Sequence, residues 1–318
     1  MKTKEPYEKM IRILTIAPDE EIYDFLRTTN HSVEELLGYS RALDYLAVHI
    51  TPKQDYIVDN CGTGGSIKKT ANISTASAII ASAAGIPIAK HGNYAFSSKT
   101  GSADVLEELG YKTKMTLEGY ENILNDTNFT FLLAPVFHPT MQRVAQIRRQ
   151  IRQKTIFNLL GPLCNPTHPQ GQVIGIYDGN MLETFAEVLL AKGLERALVV
   201  HGDGLDELTT NGPNIIYEIN RGKIISYILH PEELGLKQEP TVANSVTPKE
   251  SADLIRGVLN GEQNQVTNTI LLNAGAVIYI GKRARDIEDG IQVAREIIDS
   301  GKAKNKLDEI VIKSNEQR

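Results

Sequence analysis

Cysteine is scarce: Cys61 and Cys164 are the only two in 318 residues. That excludes a disulfide framework, and no Cys/His spacing suits zinc. Long apolar runs are also missing, so no segment is expected to span a bilayer. The opening Met1-Lys2-Thr3-Lys4-Glu5 lacks the apolar core of a secretory signal. Positive charge is not in excess. A net charge of −5 argues against a general nucleic-acid binder and for a small-molecule ligand. Several motifs are absent. Ile67 stands where the third glycine of G-x-G-x-x-G belongs, and G-x-x-x-x-G-K-[ST], H-E-x-x-H, G-x-S-x-G and an EF-hand loop do not occur. Dinucleotide, P-loop, zinc-protease and α/β-hydrolase readings lose their main support. The expectation is a small-molecule protein of a reduced, cytoplasmic compartment, without membrane or nucleic-acid partners.

What is present reads as a globular chain of one large domain or two, with no internal repeat. Residues 1–50 read as short helices, with a capping box from Ser32 to Glu35, and carry no chemistry. After residue 50 strands and helices alternate, which predicts an α/β sheet. Apolar runs predict strands ending at Val58 and Ala89, and others over Phe129–Ala134, Val173–Tyr177 and Arg196–Val200. Ile215–Ile228 reads as a hairpin through Asn220-Arg221-Gly222-Lys223. Helices are expected over Met181–Lys192, Thr247–Leu259, Val266–Tyr279 and Ile287–Ser300.

The stretch from Asp59 to Gly110 carries the densest signal. Gly62-Thr63-Gly64-Gly65 breaks one strand, and Asn72-Ile73-Ser74-Thr75 opens an Ala/Ile-rich helix. A second strand leads through Lys90-His91-Gly92-Asn93 to a Gly/Ser-rich loop, and Ser102 opens a second helix. Helix N-termini carry partial positive charge and unpaired N–H groups, and glycine lets backbone amides approach an anion. Two such ends with Lys90 between them suit a ligand with phosphate at two places. One such loop alone would read as turn punctuation and caps.

Two further places invite chemistry. The helix opened by His138-Pro139 buries Val144, Ile147 and Ile151. On a helical wheel Arg148 lies about 40° from Val144 and Arg149 about 140°. Arg148 therefore flanks the buried face, and its partner is an internal carboxylate or a ligand anion. The strand over Arg196–Val200 ends in His201-Gly202-Asp203-Gly204-Leu205-Asp206-Glu207. Adjacent carboxylates at the carboxyl end of a strand suit magnesium, and a solvated acidic turn is the plainer reading.

These residues resemble the anthranilate phosphoribosyltransferase family of tryptophan biosynthesis. The matching stretches are Gly62 to Gly65, Asn72 to Thr75, Lys90 to Asn93, Ser97 to Gly110, His138-Pro139, Arg148-Arg149, Thr155 to Pro162, Asn165-Pro166 and His201 to Glu207. The resemblance runs from about residue 20 nearly to the end. It implies a small helical domain (residues 1–52, joined by the helix near 138–153) and a larger α/β domain (53–318). The latter would have a central mixed, mostly parallel sheet flanked by helices. It implies transfer of the 5-phosphoribosyl group from 5-phosphoribosyl 1-diphosphate to the amine of anthranilate, with Mg2+ as cofactor, in a homodimer formed through the helical domain. By resemblance, Gly62, Gly65, Ser66, Thr70, Asn72, Ile73, Ser74, Thr75, Lys90, Ser98 and Ser102 line the donor site. Gly62, Asn93, His138, Arg148 and Gly161 face anthranilate, while Ser74, Asp206 and Glu207 hold the metal. No residue stands out as a general base. Ser66 replaces the family's usual Asp and Tyr94 its usual Arg. These departures keep open a paralogue acting on another aromatic amine, a pyrimidine nucleoside phosphorylase-like enzyme, or a non-catalytic binding protein.

Overall fold

The computed structural model describes residues 3–28, 31–65, 71–95, 100–151, 153–239 and 246–317. The chain starts with helices α1 (Lys4–Thr15), α2 (Asp19–Leu26) and α3 (Val33–Leu46). The expected capping box starts α3. Glu35 N donates to Ser32 Oγ (3.2 Å) and Ser32 N to Glu35 Oε2 (3.0 Å), which satisfies two N–H groups that the helix itself cannot. Met10, Ile13, Leu14, Ile22, Phe25, Leu36 and Leu43 form the buried stripe of this module.

The sheet is then built in two passes. Strands β1 (Val58–Gly62), β2 (Ile88–Gly92) and β3 (Phe129–Leu133) alternate with α4 (Ile73–Ala83), α5 (Ser102–Glu108) and α6 (Leu117–Thr127). After β3 come a short α7 (Ala134–Phe137), a turn of 3-10 helix at Pro139–Met141, α8 (Gln142–Ile151) and α9 (Ile156–Leu160). The second pass comprises β4 (Gly171–Gly175), α10 (Leu182–Lys192), β5 (Arg196–Gly202) and the hairpin β6 (Asn214–Asn220) to β7 (Lys223–Leu229). Helices α11 (Pro248–Leu259), α12 (Thr267–Ile280), α13 (Ile287–Asp299) and α14 (Lys302–Glu316) follow.

The seven strands run in the order β3-β2-β1-β4-β5-β6-β7. From β3 to β5 neighbours are parallel, while β5, β6 and β7 pair antiparallel. The mixed, mostly parallel sheet is thus as expected. Two strands start later than their apolar runs suggested: β1 begins at Val58 and β2 at Ile88, and both run on through polar residues. Asp59, Asn60, Lys90 and His91 among them are buried and each makes at least one hydrogen bond. Asp59 Oδ1 accepts from His91 N (3.1 Å), and Asn60 Nδ2 donates to Ser74 O (2.8 Å).

One face of the sheet packs on α4, α5 and α11 to α14. The other packs on α10 and, through it, on the N-terminal helices. Val144 and Ile147 of α8 join Leu14, Phe25, Leu43 and Phe185 in one apolar cluster. Burial of each such side chain contributes roughly 1.5–3 kcal/mol, so α8 is bound to α1–α3 although strands β1 to β3 lie between them in the chain. Lys192 of α10 also bonds Asp44 of α3 at 2.5 Å. Both cysteines are free thiols. Among the described residues no helix is long and apolar enough to cross a membrane.

Candidate active site

The site forms where β1 and β4 lie side by side. There the strand order reverses, so the loops after the two strands diverge and leave a crevice at their carboxyl ends. Gly62 ends β1, and a Cβ there would fall 2.1 Å from Asp206 Oδ2. The absence of that atom lets the acidic loop after β5 close over the first glycine loop. Gly64 N then donates to Asp206 Oδ2 at 2.7 Å. Gly64 and Gly65 have φ of +68° and +82°, a left-handed backbone that glycine adopts without strain.

Helix α4 starts beside this loop, and Asn72, at its N-cap, makes no side-chain cap bond. Asn72 is tied instead to α11: its N–H donates to Ser251 Oγ (3.0 Å), whose hydroxyl donates to Asn72 Oδ1 (3.2 Å). Ile73 and Thr75 are buried while Ser74 is half-buried, and Thr75 Oγ1 has no partner among the described residues. A helix end without a side-chain cap, next to an unsatisfied hydroxyl, is a ready site for an anion. The second helix end differs. Asp104 Oδ2 already accepts from Gly101 N and Ala95 N (2.8 Å each), and Ser102 Oγ donates to Asn93 O (3.4 Å). The acidic residue in its own first turn takes up amides that the sequence had offered to a second phosphate.

Lys90 lies beneath the cradle, not in the open crevice. It is 1% exposed, and its ammonium donates to Asn60 O (2.5 Å) and Ser74 Oγ (3.1 Å). Burial pushes its pKa down, opposed chiefly by the neighbouring carboxyl of Asp59. From there its bonds reach only Ser74 and the end of β1. Ser66, Thr70 and Ser98 lie outside the described residues.

The opposite wall comes from β2, α8 and the segment after α9. His91 Nδ1 lies 3.2 Å from Gly161 O and His138 Nε2 2.9 Å from Cys164 O. Each carbonyl can only accept, so each facing nitrogen carries the proton. Burial pushes His91 down to about 3 and lowers His138 as well, so both rings are neutral at pH 7. The two rings meet at a centroid distance of 5.2 Å. Arg148 flanks the buried face of α8 as the wheel predicted, while Arg149 is exposed. The Arg148 guanidinium lies 5.4 Å from the Phe157 ring centroid, 3.5 Å from Asn158 Oδ1, and burial pulls its pKa to about 10. It is still a cation at pH 7, and a largely desolvated one attracts an anion strongly. Asn93 is exposed, with its Oδ1 accepting from Tyr94 N at 2.8 Å. Tyr94, where the sequence departs from the family, is anchored by its hydroxyl to Glu107 Oε1 at 2.6 Å.

His91 also sets an acid limit. Its folded pKa lies below the unfolded value, so the unfolded chain binds more protons between about pH 6.5 and 3, and stability is lost as pH falls through that window. From pH 7 to 5 the loss from this ring should be about 2 kcal/mol. Urea unfolding at the two pH values should show it, and His91→Gln should flatten the difference; an equal slope in the variant would remove His91 as the cause.

Asp206 and Glu207 are half-buried. Among the described residues no group of three or more His, Cys, Asp or Glu converges, so the pair is no all-protein metal cage. Two oxygen donors fit magnesium, which keeps waters and substrate phosphates as its other ligands. Asn273 of α12, part of a stretch that read as packing alone, holds this loop. Its Oδ1 accepts from Leu208 N (3.1 Å) and its Nδ2 donates to Leu208 O (2.8 Å). A lone polar residue within Leu-Leu-Asn-Ala-Gly-Ala-Val was the available signal.

Comparison with known proteins agrees with this geometry. Residues 54–304 match the glycosyl transferase family, a/b domain. An anthranilate phosphoribosyltransferase from Thermoanaerobacter sp. (strain X514) is 47% identical over 290 residues, 90% of this chain and 85% of that protein. Another, from Methanosarcina barkeri, is 41% identical over 97% of this chain and 86% of its own length. The crystal structure of the Thermus thermophilus anthranilate phosphoribosyltransferase superposes with a TM-score of 0.93 at 35% identity, covering 99% of this chain and 96% of that one. The Saccharomyces cerevisiae enzyme in complex with PRPP and Mg gives 0.89 at 27% identity, covering 98% and 93%. Identity of 41–47% over nine-tenths or more of its length, on the same fold, shows that the chain belongs to the anthranilate phosphoribosyltransferase family.

Proposed function

We propose that the crevice holds 5-phosphoribosyl 1-diphosphate between the first glycine loop, the α4 N-terminus and the Asp206-Glu207 loop, with anthranilate against His138, Arg148 and Gly161. The family reaction is transfer of the 5-phosphoribosyl group to the amine of anthranilate with release of pyrophosphate. The observation that carries the proposal is the α4 N-terminus, uncapped and facing a crevice with hard oxygen donors across from it. The yeast relative in complex with PRPP and Mg, and a second in complex with 4-fluoroanthranilate, support both halves.

Gly62, Gly65, Asn72, Ile73, Ser74, Thr75 and Ser102 are assigned to the donor, with Lys90 acting from below and Ser66, Thr70 and Ser98 included from the sequence. Asn93 and Gly62 complete the acceptor side. Ser74, Asp206 and Glu207 would hold Mg2+, which when bound neutralises charge developing on the leaving diphosphate. The N–H groups of the loop and α4 take up the same charge from fixed positions, which costs no reorganisation during the reaction. The aromatic amine is neutral at pH 7 and needs orientation more than activation. Arg148 would grip the carboxylate, and the crevice would hold the amine in line with C1, which removes much of the entropic barrier. The neutral His91 and His138 rings put no positive charge beside the incoming amine.

The two-domain division at residue 52, a homodimer through the helical domain and a cytoplasmic location belong to the same proposal. Exposed Ile16, Tyr23 and Tyr45 on the N-terminal helices support the dimer face, and two free thiols suit a reducing compartment. The test is loss of anthranilate fluorescence on mixing with 5-phosphoribosyl 1-diphosphate, with and without magnesium. No loss with anthranilate, but turnover of another aminobenzoate, would sink the assigned acceptor. Arg148→Met keeps the packing on Phe157 and removes the cation. It should raise KM for anthranilate about thirtyfold and leave KM for the donor unchanged, since truncating one partner of a buried charge pair costs about 2 kcal/mol or more.

A further inference from the structure

Lys154 has no role in the assignments above, yet its side chain crosses the first glycine loop. A Cβ on Gly65 would lie 2.8 Å from Lys154 Cε, so the lysine stem occupies the space that glycine leaves. The Lys154 ammonium lies 3.4 Å from the centroid of the Tyr177 ring. Tyr177 follows the end of β4 and is itself fixed to the same loop: its N–H donates to Thr63 Oγ1 at 3.3 Å, and Thr63 N donates to Gly175 O at 2.9 Å. The cation therefore stands at the switch point between β1 and β4. The charges of Asp206 and Asp178 reach it there, while burial lowers its pKa.

We propose that Lys154 is a donor-site residue whose ammonium contacts the diphosphate of 5-phosphoribosyl 1-diphosphate; this rests on the reading of the crevice given above. Three observations carry it. An aromatic face attracts a cation without taking a directed lone pair, so an ammonium parked on Tyr177 keeps N–H groups to donate. Its stem touches Gly65, one wall of the diphosphate cradle. It also sits between α8, which bears Arg148, and α9, which leads to Gly161. One short segment thus contributes a cation to each half of the reaction, Arg148 to the acceptor carboxylate and Lys154 to the departing diphosphate. Lysine suits that second task, because a flexible point charge can follow a group that leaves.

The plainer reading is that Lys154 only balances the charge of Asp206 and Asp178 or packs on Tyr177. Titration calorimetry with pyrophosphate and magnesium separates the two, together with steady-state kinetics and thermal melts of Lys154→Met and Lys154→Arg. Loss of one charge-assisted hydrogen bond should weaken pyrophosphate binding and raise KM for the donor about tenfold or more in Lys154→Met. KM for anthranilate should not change. Lys154→Arg should stay within about threefold of the wild type. Unchanged pyrophosphate affinity in Lys154→Met would overturn the inference. So would a Lys154→Arg variant as impaired as Lys154→Met, with both melting early. Failure of the wild type itself to bind pyrophosphate with magnesium would overturn the donor-site reading and this inference with it.

Discussion

Gly175→Ala is expected to lower kcat/KM about a thousandfold or more, the scale set by losing the fixed groups that meet developing charge. The residue ends β4, and its Cβ would fall 1.6 Å from the Asp206 backbone oxygen and 2.9 Å from Glu207 N. Both are main-chain atoms, so no rotamer change relieves the clash. The acidic loop has to move outward, taking its carboxylates from the glycine loop. Circular dichroism should still report a folded α/β protein, because the apolar clusters on both faces of the sheet do not pass through Gly175. Near-wild-type turnover would mean that the Asp206-Glu207 loop has no part in the chemistry.

Asp206→Asn tests the same loop without steric change. The amide keeps the size of the carboxylate and can still accept from Gly64 N. What it loses is charge, which strengthens the Gly64 bond and which the proposed magnesium would use. Turnover should fall by about two orders of magnitude or more, with the magnesium concentration for half-maximal rate shifted upward. The melting temperature should change little. A fall in rate with an unchanged magnesium dependence would take the metal away from Asp206.

Much of the fold was legible because its signals are local. The β6–β7 hairpin turns at Arg221-Gly222, with φ of +51° and +72°, the left-handed pair that a two-residue turn requires. The α3 start was legible from Ser32 and Glu35 alone. The strands β1 and β2 were misplaced for a reason tied to the site. They carry Asp59, Asn60, Lys90 and His91 through the buried centre of the sheet, and only cross-strand pairing makes those residues tolerable there. Helix α14 went unread because its buried positions, Ala303, Leu307, Ile310 and Ser314, are spread among lysines and acids.

The candidate site's layout was legible where local pattern decides, as at Arg148, which flanks the buried face of α8, and along the glycine loop with its left-handed Gly64 and Gly65. It was not legible where long-range contacts decide. Nothing near Asp104 announces that it consumes the amides of the second loop. The places of Asn273 against Leu208 and of Lys154 over Gly65 arise only when β4, β5 and α12 come beside β1.

The strand order also has a consequence for synthesis. The pair β1–β4 joins residues more than a hundred positions apart, Val58 to Gly171 among them. The N-terminal helices bury their stripe partly on α10, which is made later still. At roughly 5–20 residues per second, the first fifty residues wait on the order of ten seconds for that partner to leave the ribosome. During that interval Leu36, Leu43 and Phe25 have no sheet-backed surface to meet, and nascent chains are at their most vulnerable to aggregation. Expression yield should therefore depend on translation speed and chaperone supply more than the finished molecule's packing would suggest.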